Sequence, residues 1–540
     1  MNVECLTLPL ANRLAHEYQR GNASALQFFA YHPYEMQAYR ERLEWLRRRT
    51  DYDRVRLTEG LYRYNKEIGN GQEALSQIEL LRRPDTYVVI GGQQAGVLTG
   101  PLYTIHKAVH LIQTARRLSA ELDVTVVPVF WMAGEDHDIA EIDHVYWLAD
   151  KDTRLHKERM HLDKKGRVSA SSLPLDEEAC KQFLSLFFHG QIETEHTAAI
   201  RELLETTAAS SGNVAEWFAR LMAQLFGKHG LVLVESSSPF VRELESPIFQ
   251  KVIEHNETIA DLLLKAADSL ATAGYPLQLQ VEEHQANLFL YEGKDRLLLE
   301  RHGDRFVNRR ASYSREELCR LAAEHPERFS SNVVTRGLMQ EHLFPSLAFI
   351  GGPGEVAYWA YYREVFELLG MRMPIVLPRM SITLLEGAQQ RLIEDFGLTV
   401  KDVLTGFGKW KEQWAAQQEP HPLQRQFAEV RESIAAAYRP LVEEVVRLDG
   451  GLRHLADKNA ELLLAQVAFL EDRLIRSLQQ REDVAHRRIQ RIEASLLPEG
   501  GLQERKLCFF PFANKYGLDL IDRLVKAPFS HDGTHQIFSI

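Results

Sequence analysis

Two apolar runs rich in β-branched residues lie on either side of a helical pattern in the first third of the chain. The runs Tyr87–Ile90 and Val124–Trp131 have the composition of buried strands. Between them, apolar residues recur at helical spacing after Pro101, a residue type favoured in the first turn of a helix. A strand, a helix and a strand in this order predict a βαβ unit of a parallel sheet.

The same pattern returns later in the chain. Leu231–Ser236 reads as a further short buried strand, and Leu347–Ile350 and Pro374–Leu377 read as two more, with a helical stretch at Val356–Leu369 between the last two. Several such units separated by long inserts predict the α/β class, with a doubly wound sheet that carries connecting domains.

The stretches between these units set the expected domain boundaries. An apolar–polar alternation on both sides of Glu292–Asp295 predicts a hairpin in the second insert. The expected order is N-terminal helices with the first half of the core at 1–150, a helical connecting insert at 151–230, core at 231–276, a small antiparallel connecting insert at 277–330, the second half of the core at 331–383, a helical coiled-coil arm at 384–500, and a C-terminal segment docking on the core at 501–540.

The arm carries two heptad arrays. One array comprises Leu441, Val445, Leu448, Leu452 and Leu455, and the other comprises Leu463, Val467, Leu470 and Leu474. The second array is out of register with the first, and the glycine pair at 450–451 lies in the first one, so we expect two helices with a break. Such an arm is either an intramolecular helical hairpin or a dimer interface.

Composition excludes several classes of protein. A net charge of −11 argues against a dedicated nucleic-acid surface, since neutralising phosphates needs clustered Lys and Arg. The sequence has no apolar run long enough to cross a bilayer and no signal-peptide pattern at its start. Its four cysteines are far apart and form no CxxC pair, which indicates a reduced, cytoplasmic chain.

Candidate chemistry follows the predicted strands, where ligands bind in such sheets. The loop Gly91–Gly96 could cradle a phosphate together with the start of the next helix, although it lacks the Walker A and GxGxxG patterns; a tight turn without a ligand explains it equally well. His106 lies one helical turn after Tyr103 and could meet a phosphate, carry a proton, or only pack. Lys107 could be a solvated lysine on the helix surface.

The segment Gly134–Asp138 places three carboxylates and an imidazole in four residues. Such charges need a positive partner, and the candidates are a divalent metal, a substrate ammonium group or Arg379. Mg²⁺ is possible, since it takes one or two carboxylates plus phosphate oxygens. Zinc is not expected, because His137 and His144 would be about 10 Å apart along a helix. An acidic surface loop is the alternative without a ligand.

A second polar ring is expected at the same edge of the sheet. Arg336 and Arg379 could bind a carboxylate or phosphate through their forked donors, or could instead pair with Glu135 or Glu355. The ring is formed by Asn332, Thr335, Arg336, Gly351, Gly352, Glu355, Tyr358, Arg379 and Ser381.

Four long strings in the sequence resemble one family. They are IGGQQAGVLTGPLYTIHK, PVFWMAGEDHDIAEIDHVYW, FIGGPGEVAYWAYYREVFELLG and PIVLPRMSIT, and the resemblance to the cysteine-adding enzymes of bacillithiol biosynthesis, the BshC family, runs the whole length. It implies a Rossmann-like core with two connecting inserts, related to nucleotidyltransferases and class I aminoacyl-tRNA synthetases. It also implies a coiled-coil arm that forms a homodimer.

The implied reaction is the amide-forming ligation of cysteine to glucosaminyl-malate. His106 occupies the place of the class I HIGH-type signature, and Arg379 and Ser381 lie where a KMSKS-type loop would fall, but neither motif is intact. ATP or another activated donor is implied, with Mg²⁺ possible; the zinc ligands of a related mycothiol enzyme have no match. The site of an adenine nucleotide is not placed, and a position beside Lys506–Phe512 is a guess.

The residue roles predicted on this basis fall into three groups. Glu135, Asp136 or Asp138 would hold the cysteine ammonium, and Arg336 or Arg379 would hold the malate carboxylates. The expected catalytic residues are His106, Asp136 and Arg379. The expected substrate-binding residues are Gln93, Gln94, Thr99, Tyr103, Trp131, Glu135, His137, Asp138, Asn332, Thr335, Arg336, Glu355 and Tyr358. The expected nucleotide-binding residues are Gly91, Gly92, Gly96, Gly351, Gly352 and Ser381.

Two other functions remain open at this point. A nucleotidyltransferase acting on a small phosphorylated substrate would use the same glycine loops and would release pyrophosphate without cysteine. A non-catalytic nucleotide-binding partner protein would bind the nucleotide without turnover. The glycine-rich loops and the crowded carboxylates favour an enzyme, and a retired active site is the alternative that stays open.

Overall fold

The computed structural model describes residues 3–149, 154–162, 168–416 and 423–540. The chain forms two compact units. The first comprises Met1–Gly387 and Pro498–Ile540, and the second comprises Ala388–Leu497. The first unit contains the sheets, and the second is entirely helical across its described residues.

The strands come in the following order along the chain: β1 (Val3–Leu6), β2 (Thr86–Gln93), β3 (Thr125–Met132), β4 (His144–Leu148), β5 (Leu155–Arg159), β6 (Val232–Glu235), β7 (Gln285–Glu292), β8 (Asp295–His302), β9 (Arg305–Val307), β10 (Ser312–Ser314), β11 (Phe329–Ser331), β12 (Ser346–Gly351), β13 (Ile375–Pro378), β14 (Ser381–Leu385) and β15 (His535–Ser539).

The α-helices come in the following order: α1 (Arg13–Gln19), α2 (Ala23–Leu26), α3 (Met36–Arg47), α4 (Arg54–Glu67), α5 (Gln72–Leu80), α6 (Tyr103–Leu122), α7 (Ile139–Ile142), α8 (Glu177–His189), α9 (Thr197–Ala209), α10 (Val214–Phe226), α11 (Pro239–Glu254), α12 (Asn256–Thr272), α13 (Arg315–Glu324), α14 (Val333–Leu343), α15 (Pro353–Trp359), α16 (Arg363–Leu368), α17 (Gly387–Asp395), α18 (Val400–Ala416), α19 (Leu423–Leu448), α20 (Arg453–Leu496), α21 (Phe510–Tyr516) and α22 (Leu520–Lys526).

The core of the first unit is a five-stranded parallel sheet in the order β13-β12-β2-β3-β6. All five strands were predicted from their apolar runs, and those runs are continuous because helices cover both faces of the sheet. The chain builds outward from β2 through β3 to β6 and then returns to add β12 and β13 on the other side. This is a Rossmann-like order, and its switch point lies between β2 and β12.

The helix α6 is the first crossover, and its side chains are buried along most of its length. Part of the stretch predicted as a helical insert, α10, leads through a short 3₁₀ turn toward β6 and lies in the same hydrophobic core as the sheet. The helix predicted over Val356–Leu369 is two helices, α15 and α16. The break occurs where Tyr361 and Tyr362 turn into the core and their N–H groups bond three residues back.

Three further sheets accompany the core among the described residues, and the smallest pairs β4 with β5. An antiparallel sheet in the order β10-β9-β8-β7-β11 contains the predicted hairpin, which turns at Gly293 with φ of +67°. A three-stranded sheet joins the two ends of the chain in the order β1-β15-β14. The aromatic side chains of Phe509, Phe510 and Phe512 in the C-terminal segment are buried in the main core.

The second unit contains the helical arm. Helices α19 and α20 lie alongside each other after a break at Gly450–Leu452, and they are linked by Tyr438 Oη donating to Asn459 Oδ1 at 2.6 Å. Several heptad leucines remain exposed, with 74% of Leu448 and 64% of Leu455 accessible. No helix in the described part of the chain is both long enough and apolar enough to cross a bilayer.

We predict that Gly92→Ala lowers the free energy of unfolding by about 1–3 kcal/mol, because its new Cβ would overlap the carbonyl oxygen of Trp131 on the neighbouring strand. The control is Gly354→Ala, whose Cβ meets nothing within 4 Å. Urea denaturation of both variants measures the difference. Equal stability of the two would show that β2 and β3 separate without cost.

Candidate active site

The candidate site lies at the carboxyl ends of β2, β3 and β12, beside the switch point of the sheet. A small pocket there has a cavity volume of about 20 Å³ and is lined among others by Gln93, Trp131, Arg336, Glu355 and Tyr358. All five were predicted to be near a substrate, and the fold brings them together from the ends of β2 and β3 and from the helices α14 and α15. The cavity has room for about one water molecule.

Gly91 and Gly92 were predicted to begin a loop, but both lie in β2 and pair with β3, between two close neighbours. A Cβ at Gly91 would lie 2.8 Å from the carbonyl oxygen of Ile350, and one at Gly92 would overlap Trp131. Thr99 follows in a turn with φ of +66°, and its hydroxyl is buried without a hydrogen-bond partner among the described residues. The glycines therefore allow three strand ends to converge, which is a structural requirement independent of any nucleotide.

Glu135 lies at the centre of a buried ionic cluster. Its carboxylate pairs with Arg242 and accepts hydrogen bonds from Ser330 Oγ at 2.9 Å and Ser331 Oγ at 3.0 Å. Burial alone would raise its pKa, but the guanidinium groups of Arg242, Arg296 and Arg336 outweigh burial and lower the pKa to about 2. We call Glu135 and these three arginines the Glu135 cluster.

This environment changes the role expected for Glu135. Its side chain is wholly inaccessible and both of its oxygens already accept hydrogen bonds, so it is not placed to hold a substrate ammonium group. The sequence offered Arg336 and Arg379 as possible partners of this carboxylate, and of these only Arg336 lies near it, at 3.9 Å. The partner is Arg242, which lies on α11 directly after β6.

Asp136 is the accessible carboxylate of the same loop. Its Oδ2 accepts from Gln94 Nε2 at 2.7 Å, which joins the two predicted polar clusters across the crevice. About a quarter of its side chain is exposed. Burial raises the pKa of Asp136, but the hydrogen bond from Gln94 and the charge of Arg336 together outweigh burial, so the net shift is downward. Asp138 is exposed and precedes α7.

His137 faces the Glu135 cluster. Arg296 Nη1 lies 2.9 Å from His137 Nδ1, and since the guanidinium can only donate, this nitrogen is the acceptor. The ring of Phe289 packs against both side chains, with the guanidinium carbon 3.7 Å from its centroid. His137 is thereby oriented in its neutral form.

Arg336 lies in the first turn of α14 and lines the pocket. Asn332 caps this helix and bonds with Thr335, so these two predicted ligands serve the helix start. The Nε of Arg336 lies 3.9 Å from Glu135 Oε1, too far for a hydrogen bond, and has no partner among the described residues. Its side chain is 22% exposed. The guanidinium is therefore held near the cluster with donors to spare.

A second buried network surrounds Glu504, which sequence reasoning did not single out. Its carboxylate accepts from both Nη atoms of Arg379 at 2.8 and 3.0 Å, from Ser381 Oγ at 2.9 Å and from Ile382 N at 3.1 Å. His106 Nδ1 lies 2.9 Å from the same carboxylate. Three residues predicted for catalysis or nucleotide binding are thus tied to the C-terminal segment.

The protonation states of this network follow from its burial. Burial would raise the pKa of Glu504, but Arg379 and His106 hold it well below its usual range. Burial lowers the pKa of His106, so its neutral form is favoured. Arg379 is 4% exposed, and its fork is occupied by Glu504. The structure therefore places neither Arg379 nor His106 where a substrate reaches it.

The sequence left open that Lys107 is a solvated lysine on the helix surface, and the structure contradicts this alternative. Its side chain is 1% exposed, and its Nζ lies 2.6 Å from Glu355 Oε2. The sequence could have indicated that Lys107 is buried, since Ala108 and Val109 continue the apolar run and leave α6 little solvent-facing surface. Of the other predicted ligands, Tyr103 lies over Arg379, with 5.6 Å between ring centroid and guanidinium carbon.

Comparison with known proteins gives a consistent result. The family model described as "Bacillithiol biosynthesis BshC, N-terminal Rossmann-like domain" matches residues 1–380, and "Bacillithiol biosynthesis BshC, C-terminal coiled-coil domain" matches residues 382–540. A curated "Putative cysteine ligase BshC" of Geobacillus kaustophilus is 40% identical over 99% of both chains. Another of that name, from Bacillus cereus strain AH187, is 35% identical over the full length of both.

We predict that Glu504→Gln lowers the free energy of unfolding by about 3–5 kcal/mol, because it leaves the charge of Arg379 buried without a counter-charge. The control is Glu499→Gln, which breaks an exposed pair with Lys506 and costs about 1 kcal/mol or less. Chemical denaturation compares both with the parent chain. Similar losses in the two variants would contradict the central position of Glu504.

Proposed function

This chain belongs to the BshC family of bacillithiol biosynthesis, and on that premise we propose that it ligates cysteine to glucosaminyl-malate through an amide bond. The observation that supports this reading is the pair of charged groups at this edge of the sheet. Arg336 lines the pocket and its Nε makes no hydrogen bond among the described residues, and Asp136, which follows β3, keeps about a quarter of its side chain exposed. Ligands of Rossmann-like folds bind at the carboxyl ends of the strands.

Each open group suits one feature of the proposed substrates. A guanidinium fork binds carboxylates well, so Arg336 would hold a malate carboxylate of the acceptor. Asp136 would hold the ammonium group of cysteine, and Gln94 fixes the orientation of that carboxylate. We assign the malate site to Arg336 rather than Arg379, because Arg379 is already paired with Glu504.

Amide formation needs activation of the cysteine carboxyl group, and we propose ATP with Mg²⁺ as the donor. In the adenylate route, a carboxyl oxygen of cysteine attacks the α-phosphorus and pyrophosphate leaves. The acceptor amine then attacks the acyl carbon, AMP leaves with that oxygen, and the amine loses one proton. Backbone N–H groups of the Gly91–Gly96 loop and the start of α6 would face the phosphates.

The direct test mixes purified protein with cysteine, glucosaminyl-malate and ATP-Mg²⁺ and follows products by mass spectrometry. Bacillithiol with equimolar AMP supports the adenylate route, and bacillithiol with ADP indicates an acyl phosphate. Pyrophosphate release that does not depend on cysteine would favour a nucleotidyltransferase. Nucleotide binding with no turnover of any of these mixtures would overturn the ligase assignment.

We predict that Arg336→Met raises the KM for glucosaminyl-malate at least tenfold and changes the KM for cysteine less than threefold, because only the acceptor carries the malate carboxylates. Arg336→Lys keeps the charge without the fork and should give an intermediate KM. The control is Arg363→Met, since Arg363 is about half exposed on α16. Steady-state kinetics with each substrate varied in turn measures both constants, and equal changes in the two would contradict this assignment.

We also propose that the arm joins two copies of the chain, because exposed heptad leucines such as Leu448 and Leu455 would gain burial in a dimer. Replacing both with Asp should halve the mass measured by light scattering from twice 62.0 kDa to 62.0 kDa. The control is Lys458→Asp, at an exposed position of α20, the helix that contains Leu455. A parent chain of 62.0 kDa would contradict the dimer.

A further inference from the structure

We propose that Lys107 is a positioning residue that keeps Arg336 available to the substrate by holding Glu355 away from it. The idea deepens the proposed function, since it depends on Arg336 binding a substrate carboxylate. No role was assigned to Lys107 from the sequence, and Glu355 was expected to bind substrate directly. The geometry points to a different arrangement, in which the two form a clamp inside the pocket.

The clamp joins the two glycine turns of the sheet edge. Lys107 Nζ donates to the carbonyl oxygen of Gly92 at 2.5 Å and to Glu355 Oε2 at 2.6 Å. Glu355 Oε2 in turn accepts from the backbone N–H of Gly352 at 2.7 Å. Lys107 therefore connects the end of β2 to the start of α15 through a single buried ammonium group.

Lys107 lies where its charge is buried and needs partners. It projects from the long helix α6, whose side chains are buried along most of its length. Burial lowers the pKa of Lys107, while Glu355 acts in the opposite direction. A buried ammonium group is tolerated only when paired and hydrogen-bonded, and here a carboxylate and a backbone carbonyl meet that condition.

Glu355 is a carboxylate beside Arg336 that, unlike Glu135, is not held by a buried arginine. Both side chains line the same pocket, and their charges interact. Within the described residues the two do not form an ion pair at 4.0 Å or less, whereas Glu355 and Lys107 do. A carboxylate that paired with Arg336 would occupy the fork that we assign to the malate group. By holding Glu355, Lys107 leaves that fork open.

The clamp predicts rescue by a second substitution. In Lys107→Met, Glu355 is released and pairs with Arg336, so the KM for glucosaminyl-malate should rise at least tenfold while kcat stays within threefold. In Lys107→Met combined with Glu355→Gln, no carboxylate remains to compete, and the KM should return to within threefold of the parent value. Glu355→Gln alone should also leave the KM within threefold.

The controls separate this role from simple loss of stability. Lys265→Met removes an exposed lysine paired with Glu364 and should leave both constants unchanged. Unfolding midpoints of all variants show whether the KM follows stability. A merely structural role for Lys107 predicts that the KM of the double variant is no better than that of Lys107→Met. That result, or an unchanged KM in Lys107→Met, overturns the proposal.

Two further measurements keep the clamp testable if other steps fail. If Lys107→Met does not fold, Glu355→Gln decides alone, because a tenfold rise in its KM would make Glu355 a direct substrate ligand. If the parent chain has no ligase activity, crystal structures of the parent and Lys107→Met decide. An Arg336–Glu355 ion pair that is present in Lys107→Met and absent from the parent supports the clamp. If the variant has no such pair, the proposal is overturned, whatever the substrate is.

Discussion

The buried carboxylate of Glu504 is the interaction on which much of this structure depends. It comes from the C-terminal segment, yet its hydrogen-bond partners lie on α6 and on the stretch that joins β13 to β14. A carboxylate removed from water needs this number of donors, and without it the charge of Arg379 would be buried without a counter-charge. The C-terminal segment also supplies β15, which pairs with both β1 and β14.

The same reasoning separates structural from available charges at the sheet edge. Glu135 and Arg379 attract attention in the sequence because isolated charges of this kind are costly inside a protein. In the structure both are fully paired, and they stabilise the positions of the strands and loops around them. Arg336 and Asp136 lie beside these pairs but keep part of their hydrogen-bonding capacity. The neighbouring residues orient Arg336 and Asp136 but leave part of their hydrogen-bonding capacity available to a ligand.

The sequence predicted the sheet well, because its five strands are apolar on both faces and each ends in a polar or glycine-rich turn. The two strand-end clusters were also predicted to meet, and the bond between Gln94 and Asp136 shows that they do. Pairing was harder to predict. The partner of Arg379 lies 125 residues away, and nothing in the local pattern around Glu504 distinguishes it from surface glutamates. Long-range ion pairs depend on tertiary packing, which a single sequence does not display.

Charge balance gives a further reason to expect an anionic ligand in the pocket. The Glu135 cluster contains three guanidinium groups and one carboxylate, and Asp136 contributes a second negative charge at its edge. Glu245 pairs with Arg242 at 2.8 Å, and burial raises its pKa to about 8. Arg336 is the most accessible of the three arginines, with 22% of its side chain exposed. A carboxylate that enters beside Arg336 gains a charged partner, whereas a cation there would be repelled by the guanidinium groups.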